Sequence, residues 1–199
     1  MRPIKVTVSA AGDSPWIPIN YLQVAFGIGL SVVPWSTATG LTYVVQHSFD
    51  SLDPLSARPI SIARAGTVAT VTDLGDAGQG HGLSTGDNII IKGSGSTYLD
   101  TPYAANGKGD LGADITVTGN TTYTYAVTNA GPTADNGSAK ALSMRVFSHA
   151  TLNSTSGNPG ATGLRADGNY AFPPQAIRLR ALTLTGGAVD LLVVQGMGH

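Results

Sequence analysis

The amino-acid sequence predicts an all-β protein in which a small β domain is inserted into a discontinuous β-sandwich. All twelve acidic residues of the 199-residue chain are aspartate, and the absence of glutamate removes a residue that ordinarily fills exposed helix faces. Valine, isoleucine and threonine instead recur in alternating apolar and polar stretches, the pattern of strands with one buried face. These stretches fall into three groups along the chain, and no segment shows a convincing helical period over three turns.

The first group contains four strand candidates before residue 50. At the N-terminus, Ile4, Val6 and Val8 alternate with Lys5 and Thr7, as expected when one face of a strand is buried. The other three candidates are apolar stretches, the first two bounded by glycine or proline; they are residues 16–19, 28–33 and 41–46. Four strands alone are too few for a closed sandwich.

The second group has the composition of a complete small β module. Its four strand candidates are separated by glycine-containing turns; they are residues 67–72, 88–91, 115–118 and 121–127. Residues 139–147 come closest to a helical pattern, yet Leu142, Met144 and Val146 fit a strand equally well. The module is therefore predicted to be a small β domain.

The third group lies near the C-terminus. The Asp-Gly-Asn sequence at residues 167–169 is a turn signal, and residues 176–184 then alternate over a long run. The glycine pair at residues 186–187 separates this run from the apolar residues 189–194. Because glycine tolerates the positive φ angles of tight turns, this spacing predicts a terminal hairpin.

The first and third groups together supply the seven or eight strands that a sandwich needs. We therefore predict that residues 1–58 and 146–199 form one discontinuous β-sandwich and that residues 59–145 form an inserted domain. Two proline-containing pairs, Asp-Pro at residues 53–54 and Arg-Pro at residues 58–59, mark the connection that leads into this domain. Such an insertion is tolerated because lengthening an exposed loop adds only a slowly growing entropy cost.

Composition excludes several classes of function. The chain has no cysteine, so it forms neither disulfides nor thiolate metal sites. Its net charge is −1 and its eleven lysines and arginines are scattered, which predicts no nucleic-acid partner. No apolar stretch approaches membrane-spanning length, and residues 1–6 lack the apolar run of a secretory signal. We therefore expect no membrane partner, and we expect the protein to be synthesised in a cytoplasm.

Both halves of the predicted sandwich resemble a group of small virion proteins of tailed bacteriophages. The resemblance rests on residues 3–8, 16–20 and 43–50 in the first half and on residues 166–173 and 176–179 in the second. In those virion proteins the two motifs lie closer together, so the segment between them is an extra domain. That segment, through residues 81–87 and 122–125, resembles small β modules that recur in phage tail and other virion proteins.

The resemblance implies a non-enzymatic structural protein of the virion, with a jelly-roll-like sandwich. It implies a cement or decoration protein that binds the major capsid protein on the capsid surface and stabilises the shell. Such a protein would be a homo-oligomer, a dimer or trimer, made in the cytoplasm of the host bacterium. A tail or neck component, such as an adaptor, fibre or receptor-binding protein, is the first alternative; the absence of a shaft repeat favours the capsid.

No set of residues predicts catalysis, a cofactor or a metal. The four histidines show no helical metal-ligand spacing; they are His47, His81, His149 and His199. His81, Ser84 and Asp87 have the residue types of a nucleophilic triad, but the turn lacks the glycine-flanked serine of a nucleophile elbow. Residues 107–109 lack the spacing of a phosphate loop. Five aspartates that could bind calcium are expected to lie in solvated turns; they are Asp73, Asp76, Asp100, Asp110 and Asp114.

The second alternative is a carbohydrate-binding module. Six aromatic residues could form a sugar-stacking surface: Trp16, Trp35, Tyr98, Tyr103, Tyr123 and Tyr125. Because aromatic residues within alternating strands ordinarily belong to the core, we expect the core position for this set. Tyr98 and Tyr103 flank a glycine-rich loop, and for this pair the surface position stays open. A sugar-cleaving enzyme would need two carboxylates across a cleft, and no aspartate pair is singled out.

Overall fold

The computed structural model of the chain describes residues 3–19, 26–75, 80–102, 110–153 and 165–197. These residues are all-β, as predicted, with a single short 3-10 helix at Pro54–Ser56 among them. The strands are β1 Ile4–Val8, β2 Gly12–Asp13, β3 Ile17–Pro18, β4 Phe26–Pro34, β5 Thr39–Ser48, β6 Arg58–Ala65, β7 Val68–Asp73, β8 Asn88–Lys92, β9 Ala113–Val117, β10 Thr122–Ala126, β11 Lys140–Met144, β12 Phe147–Asn153, β13 Ala166–Tyr170, β14 Ala176–Thr185 and β15 Val189–Met197.

The chain divides into two compact units. The host unit comprises Met1–Phe49 together with Phe147–His199, and the inserted unit comprises Asp50–Val146. The first boundary therefore lies before residue 50 rather than near residue 58, while the second lies one residue from the predicted position.

Asp50 explains why the first boundary lies where it does. Its carboxylate accepts a hydrogen bond from the Arg145 backbone amide at 2.6 Å and forms an ion pair with the Arg145 guanidinium at 2.6 Å. Asp53 then caps the 3-10 helix by accepting a hydrogen bond from the Leu55 amide at 3.0 Å. The two proline signals therefore mark a helix and the start of a strand within the inserted unit.

The host unit consists of two antiparallel sheets. One has the strand order β1-β15-β4-β13 and the other β12-β5-β14-β2, with β3 also paired to β14. β2 pairs with β14 at Arg180 and Ala181, and β3 pairs with it at Ala176 and Ile177. Because β2 and β3 follow one another along the same edge, they occupy a single strand position, and each sheet has four positions among the described residues.

Apolar side chains from both sheets form one core. On the central strands the buried side chains recur at every second residue, which is the alternation seen in the sequence. They are Ile28, Leu30 and Val32 on β4, Leu41, Tyr43 and Val45 on β5, Ile177, Leu179 and Ala181 on β14, and Val189, Leu191 and Val193 on β15. The host unit therefore has a β-sandwich-like architecture.

Two local expectations for the C-terminal third are wrong. Residues 167–169, predicted to form a turn, lie inside β13 and pair with β4. Strand pairing at a sheet edge has overridden their turn composition. Gly186 and Gly187 do adopt positive φ angles of 68° and 66°. However, they connect β14 in one sheet to β15 in the other, so β14 and β15 do not form a terminal hairpin.

The inserted unit contains a closed six-stranded barrel of order β10-β7-β6-β11-β8-β9. The pairing of β9 with β10 closes it, which leaves no open sheet edge. Its core is formed by Ile60, Ile62, Ala69, Val71, Ile89, Ile91, Leu99, Ile115, Tyr123, Tyr125, Ala139 and Ala141. Residues 140–144, in the segment for which helix and strand were both considered, form β11 of this barrel.

A buried arginine stabilises the host unit on the face of β14 opposite the core. Arg178 is fully buried, and its Nε donates to Gln46 Oε1 at 2.7 Å. Its Nη1 lies 3.2 Å from Asp13 Oδ2, and its guanidinium carbon lies 4.6 Å from the ring centroid of Trp16. A buried charge of this kind is tolerated only because it is paired and hydrogen-bonded.

Replacing Arg178 with methionine should destabilise the host unit by about 3 kcal/mol, because Asp13 loses its fully buried partner. Arg180→Met is the matched control, since Arg180 is one-third exposed and lies 3.6 Å from the same carboxylate; its loss should cost less than about 1 kcal/mol. Both tryptophans of the chain, Trp16 and Trp35, belong to the host unit. Urea denaturation followed by tryptophan fluorescence therefore reports host unfolding, and equal losses in the two variants would contradict this account.

Candidate functional site

Three exposed phenylalanines meet on the host unit. Phe49, Phe147 and Phe172 are 44%, 47% and 44% exposed. The ring centroid of Phe49 lies 5.7 Å from that of Phe147 and 5.5 Å from that of Phe172, which are distances typical of interacting aromatic pairs. These three residues are called the phenylalanine patch below.

His47 lies beneath the phenylalanine patch and contacts all three of its members. Its ring centroid is 5.4 Å from Phe49 and 5.7 Å from both Phe147 and Phe172, yet the residue is only 6% exposed. The ring of Tyr170 meets His47 edge-on at 5.0 Å. Because Tyr170 belongs to the host core, the patch is anchored in the packed interior.

Strand pairing brings the phenylalanine patch together from distant parts of the chain. His47 on β5 pairs with Phe147 on β12. Phe49 follows the end of β5, and Phe172 follows β13, which ends at Tyr170. The patch therefore exists only when β5, β12 and β13 take their places in the two sheets.

A second histidine orders the backbone next to this cluster. His149 Nδ1 lies 3.1 Å from the Leu152 amide and 3.2 Å from the Thr151 amide, and Nε2 lies 3.1 Å from the Asn169 carbonyl oxygen. Because a backbone amide only donates, Nδ1 must accept, and Nε2 carries the proton and donates to Asn169. His149 therefore bridges the stretch of β12 where the pairing with β5 shifts register.

Burial keeps His47 uncharged at neutral pH. Desolvation, and then the electrostatic effect of the neighbouring His149, lowers the pKa of His47 to about 4. Within the described residues His47 Nδ1 has no hydrogen-bond partner. At neutral pH the phenylalanine patch and the imidazole below it therefore form an apolar surface without formal charge.

Two of the three residues considered for a nucleophilic triad, His81 and Asp87, use their side chains to bind the backbone of the inserted unit. His81 Nδ1 accepts a hydrogen bond from the Leu83 amide and His81 Nε2 lies 3.0 Å from the Gly119 carbonyl oxygen. Asp87 accepts hydrogen bonds from the Ser84 amide at 2.7 Å and from a second amide of the same unit. These contacts organise a turn, and none of them activates a serine hydroxyl.

The aspartates considered for calcium are dispersed. Four of the five are described, and each has a separate partner: Arg58 for Asp73, Ser94 for Asp100, Lys92 for Asp110 and Asn88 for Asp114. No three histidine or aspartate side chains converge as metal ligands in the described parts of the chain. Asp76, residues 107–109 and His199 lie outside the described residues.

The six aromatic residues considered for sugar stacking divide between core and surface. Three are buried, as expected: Trp16, Tyr123 and Tyr125. Trp35 is 49% exposed, contrary to expectation, and its Nε1 donates to the carboxylate of the buried Asp190 at 3.0 Å. Tyr98 is also 49% exposed, and Tyr103 lies outside the described residues.

Comparison of the chain with models of known protein families gives no match, and comparison with curated proteins likewise gives none. Among the described residues, no helix is long and apolar enough to cross a membrane.

The phenylalanine patch was missed by the sequence analysis. A usable signal existed, because Phe49 and Phe147 flank the inserted unit on both sides. That signal has meaning only once β5 and β12 are known to pair, which composition and periodicity do not reveal.

The free energy of unfolding of the host unit should fall as the pH is lowered from about 6.5 to about 4. The folded-state pKa of His47, about 4, lies below the ordinary value near 6.5 expected in the unfolded chain. The unfolded state therefore binds a proton first, and the stability contributed by neutral His47 is present above about pH 6.5 and lost as the pH falls. This loss is at most about 3 kcal/mol.

His47→Gln isolates this contribution, because glutamine does not titrate. In urea denaturation followed by tryptophan fluorescence, the difference in stability between wild type and variant should shrink as the pH falls. A difference that stays constant over this pH range would contradict the assignment to His47.

Proposed function

We propose that this chain is a non-enzymatic structural protein of a tailed-bacteriophage virion, a cement protein that binds the outside of the capsid as a homo-oligomer. The host unit would contact the major capsid protein, and copies of the chain would contact one another through the phenylalanine patch. The sequence resemblance of the host halves to phage virion proteins supports this proposal, together with the strand pairing and the exposed surface of the host unit.

The strand pairing supports a jelly roll in the host unit. With β2 and β3 counted as one position, the host has eight strand positions in chain order. Antiparallel pairs join β5 to β12, β4 to β13, β2 and β3 to β14, and β1 to β15. In chain order these pairs join the fourth position to the fifth, the third to the sixth, the second to the seventh and the first to the eighth. This is the pattern of a long hairpin rolled into two sheets, a topology found in viral capsid and lectin domains. A fold alone does not specify a function, so the proposal depends on the surface.

The exposed phenylalanine patch is the single observation that carries the proposal. Soluble proteins seldom leave clustered large apolar side chains in water unless the cluster binds something. The patch carries no formal charge at neutral pH, so two copies can place it against itself without bringing like charges together. The chain as a whole has a net charge of only −1, which leaves little repulsion between copies. We therefore assign the patch to contacts between copies of this chain.

The stabilising mechanism would be mass action. A protein that binds the assembled shell but not its separated subunits adds its binding free energy to the work needed to open the shell. Because each copy contributes, many weak contacts suffice. Apolar burial would dominate these contacts, since the low charge gives little electrostatic steering.

Copy number tests the place of the protein in the virion. If it is a cement protein, quantitative gel analysis of purified virions should show it at an abundance comparable with that of the major capsid protein. A handful of copies per particle would overturn the capsid assignment and favour the tail or neck. Complete absence from purified particles would overturn the virion proposal itself.

The double variant Phe147→Ser/Phe172→Ser tests the contact between copies. Wild type should elute as a dimer or trimer in size-exclusion chromatography with light scattering, whereas the double variant should be monomeric, because it lacks two of the three patch rings. Leu182→Ser is the matched control, since Leu182 is 38% exposed on the same unit and should leave the oligomer intact. A monomeric wild type, or an unchanged oligomer in the folded double variant, would contradict the assignment.

A further inference from the structure

A shallow groove of about 300 Å³ lies in the inserted unit. One side is the turn that carries Tyr98 and Asp100, and the other is the end of β10 and the residues after it, from Tyr125 to Thr128. Tyr98 is the exposed aromatic residue of the groove, at 49%, whereas Tyr125 is buried. Among the described residues, the groove therefore presents one accessible ring beside a carboxylate.

The ring of Tyr98 is held in place although it is exposed. The backbone of Gly131 packs directly against it, and a Cβ atom added at Gly131 would lie 2.5 Å from Tyr98 Cδ2. Gly131 also has a φ of 76°, a conformation that glycine adopts without steric cost. Only glycine at position 131 therefore lets this loop pack against the tyrosine.

Arg64 fixes the loop that supports Tyr98. Its Nη2 donates to the Gly131 carbonyl oxygen at 2.8 Å, its Nε to the Pro132 carbonyl oxygen at 3.0 Å and its Nη1 to Asn129 Oδ1 at 3.0 Å. A guanidinium used in this way supports the loop, and Arg64 is not among the residues that line the groove.

The turn on the near side of the ring is fixed as well. The hydroxyl of the buried Tyr125 donates to the Leu99 carbonyl oxygen, next to Tyr98. Asp100 Oδ1 accepts a hydrogen bond from the Ser94 amide at 3.0 Å. An exposed ring supported from both sides is pre-organised to receive a ligand, because little conformational entropy remains to be lost on binding.

We propose that this groove binds a sugar residue of a neutral glycan, with the apolar face of the sugar against the Tyr98 ring and hydroxyl groups toward the Asp100 carboxylate. Among the described residues the groove is lined by one carboxylate, threonine hydroxyls and no lysine or arginine, which disfavours phosphate and other anions. A quaternary ammonium ligand is disfavoured because its sites usually enclose the cation with several aromatic rings, and one ring is accessible among the described residues of the groove.

A single groove of this size and openness should bind weakly, with a Kd of about 1 mM. If the protein coats a capsid as a homo-oligomer, many such grooves would act together, and multivalency would raise the avidity for a glycan-covered surface by about a hundredfold or more. Only this avidity step rests on the proposed virion role; glycan binding by the isolated chain does not.

The test is binding of the full-length chain to an array of immobilised neutral glycans, followed by titration calorimetry with the best soluble glycan. Wild type should bind at least one neutral glycan saturably, and Tyr98→Ala should weaken that binding by about tenfold or more, which corresponds to the loss of about 1.4 kcal/mol. Tyr98→Phe should retain it, because the ring remains. Asp100→Asn should weaken it less, because the amide oxygen can still accept the bond from Ser94.

Trp35→Ala is the control for nonspecific stacking, because Trp35 is equally exposed but lies in the host unit; this variant should bind like wild type. Far-ultraviolet circular dichroism on heating checks that each variant is folded. The proposal would be overturned if no neutral glycan binds, if folded Tyr98→Ala binds as wild type does, or if choline or inorganic phosphate is bound in preference to every neutral glycan. If the protein is monomeric and absent from virions but still binds glycan through Tyr98, the virion role is refuted and the glycan-binding proposal stands.

Discussion

The antiparallel pairing of β5 with β12 is the constraint on which the organisation of this chain depends. The whole inserted unit lies between these two strands in sequence, and the pairing of His47 with Phe147 holds the two ends of the insertion side by side. Within the inserted unit, the ion pair between Asp50 and Arg145 joins the two ends in the same way. Each unit therefore brings its own chain ends together. Lengthening the loop between β5 and β12 costs only about 0.6 kcal/mol for each doubling of its length.

The same pairing determines the surface chemistry of the host unit. Phe49 and Phe147 stand where the two strands meet the insertion, so their rings are placed together but remain outside the core. The polar side chains nearby are buried in two different ways. His47 is buried without charge, whereas Arg178 stays charged and is surrounded by an acid, an amide and an indole ring. The host unit consequently presents an apolar patch whose supporting imidazole stays neutral down to mildly acidic pH.

Local pattern predicted most of the strands, because burial of every second side chain leaves a period in the sequence that survives without knowledge of neighbours. It did not predict β6 or β12. Features that depend on neighbours were not predictable. Residues 167–169 have turn composition but pair as a strand. The glycine pair at residues 186–187 predicted a tight turn, but it did not reveal that the strands on either side belong to different sheets. Tyr98 was identified as a surface candidate from its glycine-rich surroundings. Its support by Gly131 could not be foreseen, because that contact depends on how a distant loop packs.

Excision of the inserted unit tests most directly whether the β5–β12 pairing closes a complete host fold. Residues 50–146 would be replaced by Asn-Gly, so that Ser48, Phe49, Asn and Gly form a four-residue hairpin loop between the paired His47 and Phe147. We predict that the shortened chain folds, with a cooperative urea transition in tryptophan fluorescence close to that of the host unit in the full chain. An unfolded chain, or a transition without cooperativity, would show that the host unit needs the inserted barrel and would contradict this account.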